Sequence, residues 1–129
     1  MTERVHFLGH VSYEDLPRWY NACDLFAMPN RDINGESEGF GLVFLEAAAS
    51  AKPVVAGTAG GTGSAIINGK TGLIVDGESV AEIATAMGRL LDDPEESSRL
   101  GHAARKRVLE NFIHKRRVDQ LRDLVLKKK

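Results

Sequence analysis

A chain of 129 residues, 43% of them hydrophobic, can bury one core and is too short for two, so it reads as a single domain over residues 1–129. Seventeen basic residues against 18 acidic ones leave a formal net charge of -1, which gives neither nucleic acid nor an anionic membrane a global attraction. The single cysteine, Cys23, excludes an internal disulfide and suits a reducing compartment, with cytoplasm as the default location. No apolar run nears the roughly 20 residues of a membrane span, and Met1-Thr2-Glu3-Arg4 lacks a signal-peptide core.

In chain order, Arg4 to Leu8 alternates in a strand-favouring way and Gly9 ends it. Ser12 followed by Asp15 marks a helix start, with a helix expected from about Tyr13 to Ala22 and Leu16, Trp19 and Tyr20 on one face. Pro17 conflicts with so early a start, because it removes a backbone donor. Asp24 to Met28 is a short buried-type strand closed by Pro29, and Asn30 to Ser37 a polar loop of the kind that carries function. Gly41 to Ala51 is a helix, apolar apart from Glu46, whose carboxylate needs a partner or a ligand.

Pro53 to Ala56 is the next strand, followed by a glycine-rich turn from Gly57 to Gly63, one helical turn at Ser64 to Ile67, a reversal at Asn68-Gly69 and a last strand from Gly72 to Val75. The remainder is helical. Ser79 to Leu91 is amphipathic through Val80, Ile83, Ala84, Met87, Leu90 and Leu91. Asp93-Pro94-Glu95-Glu96 then supplies a cap, a first-turn proline and favourable acids for a helix to about Asn111. A final helix is expected over about Lys115 to Leu126, before the tail Lys127-Lys128-Lys129. The expected fold is therefore α/β: a partial Rossmann-like, mostly parallel sheet of about four strands with flanking helices and a helical C-terminus.

One stretch suggests chemistry. Glu38 and Glu46 bracket Glu38-Gly39-Phe40-Gly41-Leu42-Val43-Phe44-Leu45-Glu46 at the junction of loop and helix. The glycines let backbone approach a ligand, and the free N–H groups at the helix start suit an anion such as a phosphate. Glu46 lies about a turn and a half along the helix, so two carboxylates flank one anion site from different heights. The bland reading makes Glu46 a solvated helix residue and Glu38 a dipole-favoured acid. His6, His10, His102 and His114 are not spaced as metal ligands, and no metal is called for. Met28, Met87 and Trp19 read as core residues, and Cys23 as a buried structural thiol.

These residues resemble the retaining glycosyltransferases of the GT-B fold, the group that includes glycogen synthases, sucrose synthases and bacterial mannosyltransferases. The likeness runs through Val5-His6-Phe7-Leu8-Gly9, Cys23-Asp24-Leu25-Phe26-Ala27-Met28-Pro29, the paired-glutamate run, Lys52-Pro53-Val54-Val55-Ala56, Gly60-Gly61 and Gly69-Lys70-Thr71-Gly72-Leu73-Ile74-Val75. It corresponds to the later part of that fold's C-terminal, nucleotide-sugar-binding domain. The resemblance implies that Glu38 is the catalytic-site glutamate touching the donor sugar and that Glu46 contacts the ribose. Leu42 and Val43 would hold the diphosphate through their amides, with Gly39, Phe40 and Gly41 bringing backbone close to the sugar. Gly60, Gly61 and Thr62 are further candidates for phosphate or ribose contacts.

The resemblance also implies the ligand, a UDP- or GDP-sugar with a slight tilt to GDP-mannose, and no cofactor. Two departures stand out. The family's upstream strand-helix units, with the arginine and lysine that neutralise the leaving diphosphate, have no counterpart before Val5; Arg31 or Lys52 are the nearest substitutes. After Gly60-Gly61 the family continues with a hydrophobic residue, proline and glutamate, whereas this chain has Thr62-Gly63-Ser64. The expected protein is the donor-binding part of a hexosyltransferase, a truncated domain inactive alone. A separate domain or chain would bind the acceptor, and the first strand would take part in a homodimer. The rival is a non-catalytic nucleotide-binding or self-associating module derived from such an enzyme. An unrelated nucleotide-binding α/β protein is disfavoured by the absence of Gly-x-Gly-x-x-Gly and Walker motifs.

Overall fold

In the computed structural model, residues 2–33 and 41–113 are described. The elements in order are α1 (Leu16–Ala22), β1 (Phe26–Met28), α2 (Leu42–Ala49), β2 (Val54–Ala56), α3 (Thr62–Ala65), β3 (Leu73–Ile74), α4 (Val80–Asp92) and α5 (Pro94–Asn111), after a 3₁₀ turn at Thr2–Arg4. The three strands form one parallel sheet in the order β1-β2-β3, with Phe26 opposite Val54 and Val55 opposite Leu73. This is the α/β architecture expected from alternating strands and helices, because parallel strands need crossover helices between them.

The central strand reads Val54-Val55-Ala56, and all three residues are buried, as a strand covered on both faces must be. Val54 and Ala56 point to one side, where Tyr20, Phe44, Ala47, Ala65 and Ile66 pack against them. Val55 points to the other, meeting Leu73, Val75, Ala86, Leu90 and Leu100. Thus α1, α2 and α3 cover one face, α4 covers the other, and the period-two alternation of a strand divides one core into two layers.

Among the described residues the sheet has three strands rather than four. The segment Val5 to Gly9 is not a strand, and its apolar residues lie in solvent, with Phe7 97% exposed. A β-favouring sequence becomes a strand only when a ladder partner accepts its amides, and no described strand is adjacent to it. Trp19 is likewise 49% exposed, not a core residue; Tyr20 is the side chain of that face that is buried. Met28 and Met87 pack against the two core clusters as expected.

The conflict at Pro17 resolves by a later start. Ser12 and Asp15 bond reciprocally, Ser12 Oγ donating to Asp15 Oδ2 at 2.8 Å and the Asp15 amide donating to Ser12 Oγ at 3.2 Å. The helix then begins at Leu16, which puts Pro17 in the first turn, where its missing N–H is not needed. The caps of α4 and α5 form as their sequences indicate: Ser79 Oγ accepts from the Glu82 amide, and Asp93 Oδ1 from the Glu96 amide at 2.9 Å. Arg89 of α4 donates to Glu96 of α5 through both Nε and Nη2, and this fork fixes the corner between the two helices. The expected face of α4 narrows to Ile83, Ala86, Met87 and Leu90, because Val80, Ala84 and Leu91 are exposed. The helix expected at Lys115 to Leu126 lies outside the described residues.

Candidate functional site

All three strands point their carboxyl ends the same way, and Asn30 organises that edge. Its Nδ2 donates to Ala59 O at 2.8 Å and to Thr62 Oγ1 at 3.0 Å, while its Oδ1 accepts the Gly57 amide at 2.9 Å. The loop after β3 closes on the same residue. A Cβ on Gly57 would sit 1.7 Å from Asn30 O, and one on Gly77 2.6 Å from it, so both positions require glycine for close backbone approach. Loops from three strands are therefore pinned to one asparagine side chain and its backbone. In the sequence Asn30 is simply the first residue of a polar loop; the signal for its role is its position directly after the strand-ending Pro29.

At the same edge α2 begins. Gly41 has φ 71°, in the left-handed region, and a Cβ there would lie 2.6 Å from Phe44 Cδ2. Glycine is thus needed twice over, for conformation and for room. No side chain caps this helix, and among the described residues no acceptor faces the amides of Leu42 and Val43. An uncapped start with open N–H groups is the arrangement that holds a phosphate.

Glu46 projects from the second turn of α2 and is half-buried. The Tyr20 hydroxyl, on α1, donates to its Oε2 at 2.9 Å. Burial and this bond to a carboxylate both push the Tyr20 pKa up from its ordinary 10.0, since each disfavours the phenolate. A cavity of about 350 Å³ opens beside the pair, lined by Tyr13, Leu16, Tyr20, Glu46, Ser50 and Arg105 among others. The partner that the Glu46 carboxylate needs is therefore Tyr20, which its sequence spacing marks only as part of a packing face.

The structure brings Leu42, Val43 and Glu46 together on one helix capped by Gly41, with Gly60 and Gly61 in the next loop of the same sheet edge and Thr62 opening α3. Thr62 is 1% exposed, and its hydroxyl donates to Ala59 O at 2.7 Å. That hydroxyl is spent on holding the loop with Asn30, which leaves only backbone to meet a ligand there. Glu38, Gly39 and Phe40 lie outside the described residues. Of the two candidate cations, Arg31 is exposed just beyond Asn30, but Lys52 follows the C-terminus of α2, about 12 Å of helix away from its start. Lys52 is at the wrong end of the sheet to serve an anion at Leu42.

Among the described residues no group of three histidine, cysteine, aspartate or glutamate side chains could hold a metal, and no helix is long and apolar enough to cross a membrane. Cys23 is half-buried and donates through Sγ to Tyr20 O at 3.2 Å, with burial pushing its thiol pKa up, as an unreactive structural cysteine requires.

Comparison with known proteins matches the model of the family "Glycosyl transferases group 1" to residues 1–107. A GDP-mannose-dependent alpha-(1-6)-phosphatidylinositol monomannoside mannosyltransferase of Mycolicibacterium smegmatis is 40% identical over 127 residues, 97% of this chain and 33% of that protein. Among solved structures, Anabaena HepE in complex with UDP superposes with a TM-score of 0.85 at 27% identity, covering 98% of this chain and 33% of that one. The C-terminal domain of a glycosyl transferase group 1 family protein from Francisella tularensis gives a TM-score of 0.72 at 28% identity, over 84% of this chain and 53% of that one. The chain spans about a third of the length of the curated mannosyltransferase that it matches.

Proposed function

Because this chain belongs to the group 1 glycosyl transferases, we propose that it forms the nucleotide-sugar half-site of a retaining hexosyltransferase. The observation that carries the reading is the start of α2. The open amides of Leu42 and Val43 face the sheet edge above the glycine turn at Gly41, and Glu46 stands about one turn further on. A diphosphate on the amides brings the ribose hydroxyls toward Glu46, because helical side chains lean back toward the N-terminus. Glu38, with Gly39 and Phe40, meets the donor sugar, and the backbone of Gly60, Gly61 and Thr62 borders the phosphates. The UDP bound to HepE and the GDP-mannose dependence of the mycobacterial relative support a nucleoside diphosphate sugar as the ligand. GDP-mannose is the donor we favour.

Titration with GDP- and UDP-sugars tests the reading. Affinity in the millimolar range, about -4 kcal/mol, is expected from amides and carboxylates with no basic pair on the diphosphate. Saturable binding lost in Glu46→Ala supports it, and no binding at several millimolar refutes it. The chain alone transfers no sugar on this reading, since the leaving diphosphate is unneutralised and a separate domain or chain must hold the acceptor. Turnover by the purified protein that disappears in Glu38→Ala would overturn that second point.

The exposed apolar set of Val5, Phe7, Leu8, Tyr13 and Trp19 favours self-association as well. A homodimer burying these residues is expected, and light scattering at micromolar concentration checks it: a monomeric mass refutes the dimer and leaves the nucleotide site untouched.

A further inference from the structure

Tyr20, Phe26 and Phe44 form a row across α1, β1 and α2. The Tyr20 and Phe26 ring centroids are 5.6 Å apart at 61°, and those of Phe26 and Phe44 6.3 Å apart at 73°. Both contacts are edge-to-face, the arrangement that ring quadrupoles favour. At one end of the row Phe44 fills the space beneath Gly41, the residue that turns the backbone into the α2 amides. At the other end the Tyr20 hydroxyl holds Glu46 Oε2 at 2.9 Å. Among the described residues Glu46 Oε1 has no second protein partner.

We propose that Tyr20 is a positioning residue for nucleotide recognition: its hydroxyl occupies one oxygen of Glu46 and presents the other to a diol, so that the chain selects a ribonucleoside diphosphate over its deoxy counterparts. This rests on the reading of Glu46 as the ribose-facing carboxylate. A glutamate on a helix surface has three free side-chain torsions, and ordering it on a ligand costs up to about 2 kcal/mol of rotamer freedom. Tyrosine has two torsions and a rigid ring, here packed against Phe26, so the Tyr20 hydroxyl fixes the carboxylate before a ligand arrives. The same aromatic row sets the height of the carboxylate relative to the Leu42 and Val43 amides. A phosphate on the amides and a diol at Glu46 thus share one ruler, built from residues that touch neither.

The test compares GDP with its 2′-deoxy and 3′-deoxy analogues on the full chain, by NMR titration of wild type, Tyr20→Phe and Glu46→Gln. Wild type is expected to bind GDP several-fold more tightly than the deoxy forms. Tyr20→Phe should weaken GDP three- to tenfold, leave the deoxy analogues unchanged, and so flatten the ratio. Circular dichroism checks its fold, and Glu46→Gln, which keeps the ring in place, should flatten the ratio in the same way. Equal losses for GDP and the deoxy forms would mean that Tyr20 only holds the fold and would overturn the proposal, as would an unchanged ratio. Either of those results leaves the donor-site reading standing, whereas a wild type that binds no nucleotide removes both.

Discussion

Replacing Asn30 by alanine removes the side chain on which the carboxyl edge of the sheet is assembled. Three hydrogen bonds vanish, to Ala59 O, to Thr62 Oγ1 and from the Gly57 amide. The Ala59 carbonyl keeps a donor, because Thr62 Oγ1 still reaches it at 2.7 Å. Gly57 fares worse: it is buried, and its amide has only Met28 O, at 3.4 Å, as an alternative. Two ordinary bonds at about 1 kcal/mol each, plus about 1 kcal/mol for the stranded amide, put the loss at about 3 kcal/mol. Urea unfolding followed by circular dichroism reads this directly, and with a slope of about 1–3 kcal/mol per molar the midpoint falls by about 1–3 M. Asn30→Asp is the control, keeping an acceptor for Gly57 but directing carboxylate oxygen at the Ala59 carbonyl, and it should be destabilised as well. A midpoint for Asn30→Ala equal to wild type would refute the role of Asn30 as organiser of the edge.

Three further outcomes are expected. Gly41→Ala forces a Cβ to 2.6 Å from Phe44 Cδ2 at a left-handed φ, and should cost about 2 kcal/mol or more in urea unfolding while abolishing nucleotide binding. Ala51, at φ 57°, closes α2 in a conformation that favours glycine, so Ala51→Gly should raise stability by about 0.5–1 kcal/mol in the same assay. Tyr20 is held un-ionised by burial and Glu46, so its stabilisation is complete below pH 10 and declines as pH rises above that, where the unfolded chain ionises first; thermal melts should show this decline in wild type and a shallower one in Tyr20→Phe.

The elements with strong local signals were readable. Asp93-Pro94-Glu95-Glu96 places the start of α5, and the buried run Val54-Val55-Ala56 places the central strand, because capping and two-sided burial are written in neighbouring residues. Val5 to Gly9 carries an equally good strand pattern and forms none, since ladder pairing depends on a distant partner that no local pattern contains. For the site, the glycine turn and the open amides of α2 followed from the order loop, glycine, helix. What local sequence could not supply was long-range: Tyr20 finding Glu46 26 positions away, and Asn30 binding Thr62 32 positions away. Both pairings are set by how helices and loops meet over the sheet.

The path of α5 bears on how this domain opens. Leu100 enters the layer containing Val55 and Leu90, while the next residue, Gly101, lies so close to the end of α2 that a Cβ would meet Ala51 O at 2.1 Å. Further along, Arg105 donates to Ala49 O and Arg107 to Ser64 O, both on elements of the opposite layer. One helix thus laces the two faces of the sheet, and neither layer can peel away without releasing the other. Amide hydrogens in α2 and α4, though on opposite faces, should then exchange through a single shared opening with one free energy, and a Gly101→Ala chain should show them exchanging separately.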